Sequence, residues 1–302
     1  LKGEFLLIAD PLNVVLKVIK VKAKLTDTTT GDDAAEFKEF VGFIRANTDI
    51  ARLTGTTVSF MRDADYAGDP REGRNKDIQD SLPYGGGRPP LGQPPVPPKV
   101  QAHISGTLVS ADPECQFAVE VRVRPLNHGG RPAEPRTPSL ENGLPFVRID
   151  KGELYEVRVV NNSPHEVAAS LTIDGIDQFT FSDDRKPDGS PKFSVFVIDP
   201  AKDGKPGEVL IPGWHKTADP KRKDNFLSFL VTEYGKGAAS KFPTQAIGKV
   251  GTITVGFARS YAPGSRGAGA ETGFGPSVEV TQEPVTRDLD VPFAFVTVRY
   301  AR

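Results

Sequence analysis

Apolar and polar side chains alternate in short runs through most of the chain after residue 100, with glycine, proline and Asp-Gly turns between the runs. VQAHISGTLVS (100–110) and CQFAVEVRVR (115–124) both alternate, and the ADPE between them has the composition of a hairpin turn. FVRID, ELYEVRVVNN, EVAASLTIDG and QFTFS follow, then KFSVFVID, EVLIPG, NFLSFLVTE, GTITVGFARSY and DVPFAFVTVRYAR. A period of two sends successive side chains to opposite faces, so each run predicts a strand with one face inward. Many short strands at roughly ten-residue spacing predict two packed antiparallel sheets. The fold class expected for residues 100–302 is therefore mainly β, an antiparallel β-sandwich of immunoglobulin-like or related kind. Within it, ELYEVRVVNN, EVAASLTI and QFTFS read as three successive strands of a meander that turns at SPH and DGID.

The first 82 residues read differently, as a small α+β segment. EFLLIADPLNVVLKVIKVKAKL predicts two strands around a Pro turn, the second rich in β-branched residues. In TTTGDDAAEFKEFVGFIRAN, Asp32 or Asp33 can cap a helix whose Ala35, Phe37, Phe40, Val41 and Ile44 recur at three- and four-residue spacing. DIARLTG continues this helix for a turn and Gly55 stops it. From Asp63 onward apolar periodicity fades, and residues 83–99 read as a Pro/Gly-rich linker of polyproline type. A short helix is expected within residues 232–242, and residues 264–276 have the composition of a flexible loop. The chain begins at Leu1 without a charged-then-apolar leader, which suggests a fragment or a processed product.

Composition narrows the function classes. Thirty glycines and 27 prolines in 302 residues suit a turn-rich β protein. The 38 Lys and Arg against 39 Asp and Glu give a net charge of -1, so no basic footprint for nucleic acid is visible, and the densest basic cluster (216–225) is broken by Asp219 and Asp224. No apolar run approaches the roughly 18 residues that span a bilayer. One cysteine excludes an internal disulfide and leaves the compartment open.

The residues able to do chemistry are sparse. Cys115 and His128 raise the thought of a thiolate nucleophile, but Cys115 opens a core-patterned strand, where a free cysteine packs as a small apolar residue. His103, His128, His165 and His215 show no metal-ligand spacing, and Met61 precedes every other candidate copper ligand. Asp199, Asp203 and Glu208 around Gly204 form a weak calcium candidate, as do Asp183, Asp184 and Asp188 before Gly189; both read first as turns. Serine elbows and Walker-type glycine loops are missing, so no cofactor is expected. His165 lies at the SPH turn, about 25 Å along an eight-residue strand from Asp174 and Asp177, too far to act with them. For binding, the nominees are Trp214 and His215 in IPGWHK, where the only tryptophan sits in a Pro-Gly turn beside a histidine, and His165. A Trp lid on one end of the core is the structural alternative.

One resemblance runs through these phrases. GTLVSADPECQFAVEVRV, KGELYEVRVVNNSPHEVAASLTIDGIDQFTFS, LIPGWHK, FLVTEYGKGAA, GTITVGF and ETGFGP, over about residues 106–276, resemble the β-rich region carboxy-terminal to the protease domain in caspase-like (metacaspase-type) peptidases of planctomycete-type bacteria. LKGEFLLI is similar to the closing strand of a caspase-like fold. The family's catalytic His-Gly and Asp-x-Cys are not matched, because the only cysteine precedes His128, so no catalytic residue is carried over. The resemblance implies a non-catalytic accessory or protein-interaction module, with any peptidase activity in a domain outside this chain. A self-assembling structural or cell-envelope component is the alternative, and a hydrolase whose site forms only in the fold is a further one. A protein partner or self-association is expected in the first two cases.

Overall fold

A computed structural model describes residues 2–10, 13–26, 33–36, 51, 55–82, 99, 101–127, 129–233, 235–246, 249–263 and 284–300. Near the start, β1 (Lys2–Asp10), β2 (Asn13–Thr26) and β3 (Asp33–Glu36) form a three-stranded antiparallel sheet. The two expected strands are β1 and β2. Asp33–Glu36, expected to open a helix, is instead a strand, paired Lys24↔Glu36 and Leu25↔Ala35. Backbone partners on a fourteen-residue strand outweigh the local helical spacing there. The body of the expected helix lies outside the described residues. Its end conforms: Ala51 is helical, Gly55 takes a φ of 60°, and the Thr56 N–H donates to the Ala51 carbonyl, the bond that closes a glycine-stopped helix.

The chain continues through β4 (Val58–Ser59), α1 (Pro70–Ser81), β5 (His103–Ser105), β6 (Leu108–Ser110), β7 (Phe117–Pro125), β8 (Glu134–Pro135), β9 (Ser139–Glu141) and β10 (Leu144–Val147). Next come β11 (Glu153–Asn161), β12 (Val167–Ile173), β13 (Ile176–Asp177), β14 (Phe196–Ile198), β15 (Gly207–Ile211), β16 (Gly213–His215) and β17 (Phe226–Leu230). A 3-10 turn (Ala238–Lys241) and α2 (Pro243–Ala246) fall where the short helix was expected, before β18 (Thr252–Tyr261), β19 (Asp288–Leu289) and β20 (Ala294–Tyr300).

These strands make two large sheets. One runs β16-β17-β11-β7-β6-β5, with β15 against β11 and β8 against β7. The other runs β13-β12-β18-β20-β10-β9, with β14, β19 and β4 added to it. Pairing is antiparallel apart from β10 beside β20. One apolar cluster draws on both sheets: Val119, Val121, Val157 and Ile211 from the first, Ala169, Leu171, Val255, Phe257, Val296 and Val298 from the second, all at most 2 % exposed. The chain is thus mainly β, with two multi-strand sheets sharing a core, and neither sheet closes on itself.

Three expectations change at this level. First, β11 and β12 do not make a meander: β11 belongs to the first sheet and β12 to the second, so the SPH turn is a crossing between sheets. Asn161, fully buried, ties that crossing: its Oδ1 accepts from the Ser163 N–H (2.9 Å) and hydroxyl (2.7 Å), and its Nδ2 donates to the carbonyls of His165 (2.8 Å) and Asp199 (2.9 Å). Second, QFTFS is a series of turns. Its Gln178 carbonyl accepts the His215 N–H, and its Nε2 donates to the Gly213 carbonyl at 2.9 Å, so this stretch covers the outer edge of β16. Third, α1 falls where no periodicity was evident; Asp69 caps it by accepting the Arg71 N–H, Pro70 opens it, and Ile78 is its buried apolar residue.

The segment 55–82 belongs with the second sheet. Val58 and Ser59 pair with Phe295 and Ala294, and Val58, Phe60 and Ile78 pack on Phe295. Thr57 and Thr297 exchange hydrogen bonds at 3.0 and 3.1 Å. Of the expected linker 83–99, residues 83–98 lie outside the described residues.

Candidate functional site

Successive residues of a strand face opposite ways, and this separates the two residues nominated together in IPGWHK. In β16, paired with β17 as Trp214↔Leu227 and His215↔Phe226, they point to different sides. His215 goes inward, only 1 % exposed, into a box of Phe179, Phe193 and Phe226 with ring centroids 5.0, 5.6 and 5.7 Å away. Expected at a binding surface, His215 is instead sealed in the core, and this corrects its assignment. Burial holds its pKa below the usual histidine value, with Asp184 opposing, so the ring stays neutral near pH 7.

His215 Nδ1 lies 3.0 Å from Ser182 Oγ, itself 2 % exposed. Asp184 stands close, but its carboxylate accepts the Ala218 N–H at 2.7 Å, and its own N–H donates to Ser182 Oγ at 3.1 Å. Serine, histidine and aspartate are therefore together, with their hydrogen bonds spent on the β16 turn and no open face for a substrate. A nucleophilic serine needs its oxygen exposed beside the base.

Trp214 goes the other way and stays half-buried. Its ring meets Phe181 edge-on at 5.0 Å and Phe229 at 5.2 Å, and Phe181 meets Phe242 at 5.7 Å. Opposite it on β17, Leu227 is 47 % exposed. Gly213 sets this geometry: a Cβ there would lie 2.1 Å from the Leu227 carbonyl oxygen, so only glycine lets β16 approach β17 this closely. The result is an aromatic patch with a rigid base and an exposed aliphatic edge.

The remaining nominees are scattered. His165 is exposed at the inter-sheet crossing, where its carbonyl, not its ring, is used. Asp203 takes a φ of 52° in the Asp203-Gly204 turn, Asp199 lends a backbone carbonyl to Asn161, and Glu208 pairs with Arg158. The calcium candidate is thereby resolved into a turn, a backbone acceptor and an ion pair. Asp183 likewise pairs with Arg222. Among the described residues, no three His, Cys, Asp or Glu side chains are placed to hold a metal ion. Cys115 is half-buried, burial raises its thiol pKa, and its Sγ lies 3.5 Å from the Phe117 carbonyl oxygen, which opposes thiolate chemistry. His128 lies outside the described residues.

Sequence reasoning missed a second feature. At the far end of the second sheet, a cleft of about 300 Å³ opens between the β9–β10 hairpin tip and the ends of β18 and β20, lined by Asn142, Leu144, Phe146, Val250, Arg299 and Tyr300 among others. Tyr300 donates its hydroxyl to Asp174 Oδ1 at 2.9 Å, and the Gly251 N–H donates to the same oxygen at 2.7 Å. Burial raises the Asp174 pKa against these bonds, and burial, with Tyr155 and Asp174 beside it, raises that of Tyr300. The Val-Arg-Tyr alternation near the chain's end fits a strand, and nothing local marks its arginine as facing a cleft.

Comparison with known proteins finds no matching family model, no matching curated protein and no matching solved structure. Among the described residues no helix is long and apolar enough to cross a membrane.

Proposed function

We propose that this chain is a non-catalytic accessory module, a β-sandwich of immunoglobulin-like or related kind, that docks another protein through the Trp214–Leu227 patch. The partner suggested by the resemblance over residues 106–276 is a caspase-like peptidase domain. The observation that carries this reading is the pairing of a half-buried, ring-packed Trp214 with a 47 % exposed Leu227 at one edge of a sheet. Rigid aromatic anchors beside exposed aliphatic side chains lose little conformational freedom on binding and supply most of the energy at protein interfaces. Support also comes from how the catalytic-type groups are used: His215, Ser182 and Asp184 hold a turn together, and Asp174 holds Tyr300 to Gly251.

Hydrogen–deuterium exchange on the chain, with and without a caspase-like peptidase domain, tests the reading. Added protection at residues 213–215 and 226–228 supports it; unchanged exchange there with protection elsewhere refutes it.

A second reading, self-assembly into a structural or envelope layer, is favoured by one observation. Strand β9, last in the order of its sheet, carries Leu140 at 44 % exposure. Sedimentation velocity separates the two, since a monomer across a wide concentration range is incompatible with assembly through that edge.

A further inference from the structure

Among the described residues, no carboxylate pairs with the guanidinium of Arg299. Arg299 sits on β20 between Phe146 of β10 and Thr252 of β18, half-buried, and its Nε is buried without a hydrogen-bond partner. Other half-buried arginines do have a carboxylate: Arg124, whose Nε is likewise buried without a hydrogen-bond partner, meets Glu156 at 2.9 Å, Arg136 meets Glu153 at 3.0 Å, and Arg287 grips Glu166 with two nitrogens at 2.7 and 3.1 Å. Burial alone lowers the Arg299 pKa, with no contribution from the Asp174 carboxylate, whose Oδ1 accepts from Tyr300 and Gly251. A half-buried cation with no carboxylate beside it is only partly hydrated, and an incoming anion offsets that cost.

The walls of the cleft narrow the ligand. Leu144, Phe146 and the 48 % exposed Val250 supply apolar surface, while Asn142 and Gly143, with φ of 53° and 78°, turn the hairpin tip around its mouth. Glu141 also lines the cleft, in a contact of its own, and its negative charge disfavours a doubly charged ligand. At about 300 Å³ the space equals that of roughly ten waters at ~30 Å³ each, enough for a small amphipathic molecule and too little for a folded segment.

We propose that this cleft binds a monocarboxylate carrying a branched apolar group, with Arg299 as its counter-ion and Leu144, Phe146 and Val250 around its apolar part. This site does not depend on the Trp214 patch. Titration calorimetry of the full chain with N-acetyl-leucine, N-acetyl-leucinamide and inorganic phosphate is the test, read beside Arg299→Gln and Arg299→Lys. The expected result is saturable binding of N-acetyl-leucine, weakened about tenfold or more in the amide and in Arg299→Gln, as loss of a charge-assisted pair requires, and partly restored in Arg299→Lys. Should Arg299→Gln fail to fold, the acid-against-amide comparison on the unaltered chain decides alone. Equal binding of acid and amide, tighter binding of phosphate than of N-acetyl-leucine, or no saturable binding of the acid up to about 10 mM overturns the proposal.

Discussion

Ser182 Oγ and His215 Nδ1 meet at 3.0 Å inside a box of phenylalanine rings, and the pair holds a turn against the edge strand β16. His215→Ala should cost about 2–4 kcal/mol of stability, since it empties a packed volume and strands a buried hydroxyl. Thermal denaturation measures the loss. Retention of full stability would mean the pair is not structural.

The same histidine sets a pH dependence. Its folded pKa is depressed by burial, so the unfolded chain binds the proton more readily, and stability rises with pH across the interval between the folded value and about 6.5. Acidifying from pH 7.5 to 5.5 should therefore lower the Tm, by ~2–4 °C for each kcal/mol lost. His215→Gln should flatten that slope.

Asp174 works in the opposite sense. Burial raises its folded pKa above the ordinary 3.8, so the folded state holds the proton longer, and stability falls as pH rises from about 3.8 through the folded value. Asp174→Asn keeps an acceptor for Tyr300 and Gly251, suits the positive φ of 54°, and removes this slope; it should leave stability within about 1 kcal/mol at pH 7. Asp174→Ala loses both bonds and should cost about 2–3 kcal/mol. Equal loss in the two variants, by urea titration, would contradict this account.

Asn161 is the joint between the sheets. With four hydrogen bonds on a fully buried amide, Asn161→Ala should cost about 3 kcal/mol or more, against about 0.5 or less for the exposed Asn162→Ala. Chemical denaturation of both variants checks the difference.

How much of this was legible in the sequence follows from the range of each force. Alternation in CQFAVEVRVR and GTITVGFARSY is local and marks β7 and β18 directly. Sheet membership is non-local: nothing in NNSPHE says that β12 leaves the sheet of β11 to pair with β18 and β14, and Asn161, which ties the crossing, reaches the carbonyl of Asp199, 38 residues on. The helix α1 buries one isoleucine and so lacks periodicity, yet its start was readable in Asp69-Pro70-Arg71-Glu72 as a cap, a proline and a first-turn acid. Trp214 is singled out by composition, as the one tryptophan of the chain. His215 was misplaced because neighbours in a strand were treated as one contact surface. Arg299 carries no local mark, because an arginine that meets no carboxylate among the described residues is recognised only in the fold.

Trp214 and Leu227 form the proposed docking surface. The decisive measurement is the affinity of the chain for a caspase-like peptidase domain, compared between the unaltered chain and Leu227→Asp, with thermal denaturation as the folding control. The exposed position predicts a stability change within about 0.5 kcal/mol. Binding should be saturable for the unaltered chain and weaker by about 2 kcal/mol, ~30-fold, for Leu227→Asp. Equal affinity of the two folded chains, or no complex with the unaltered chain, would contradict it.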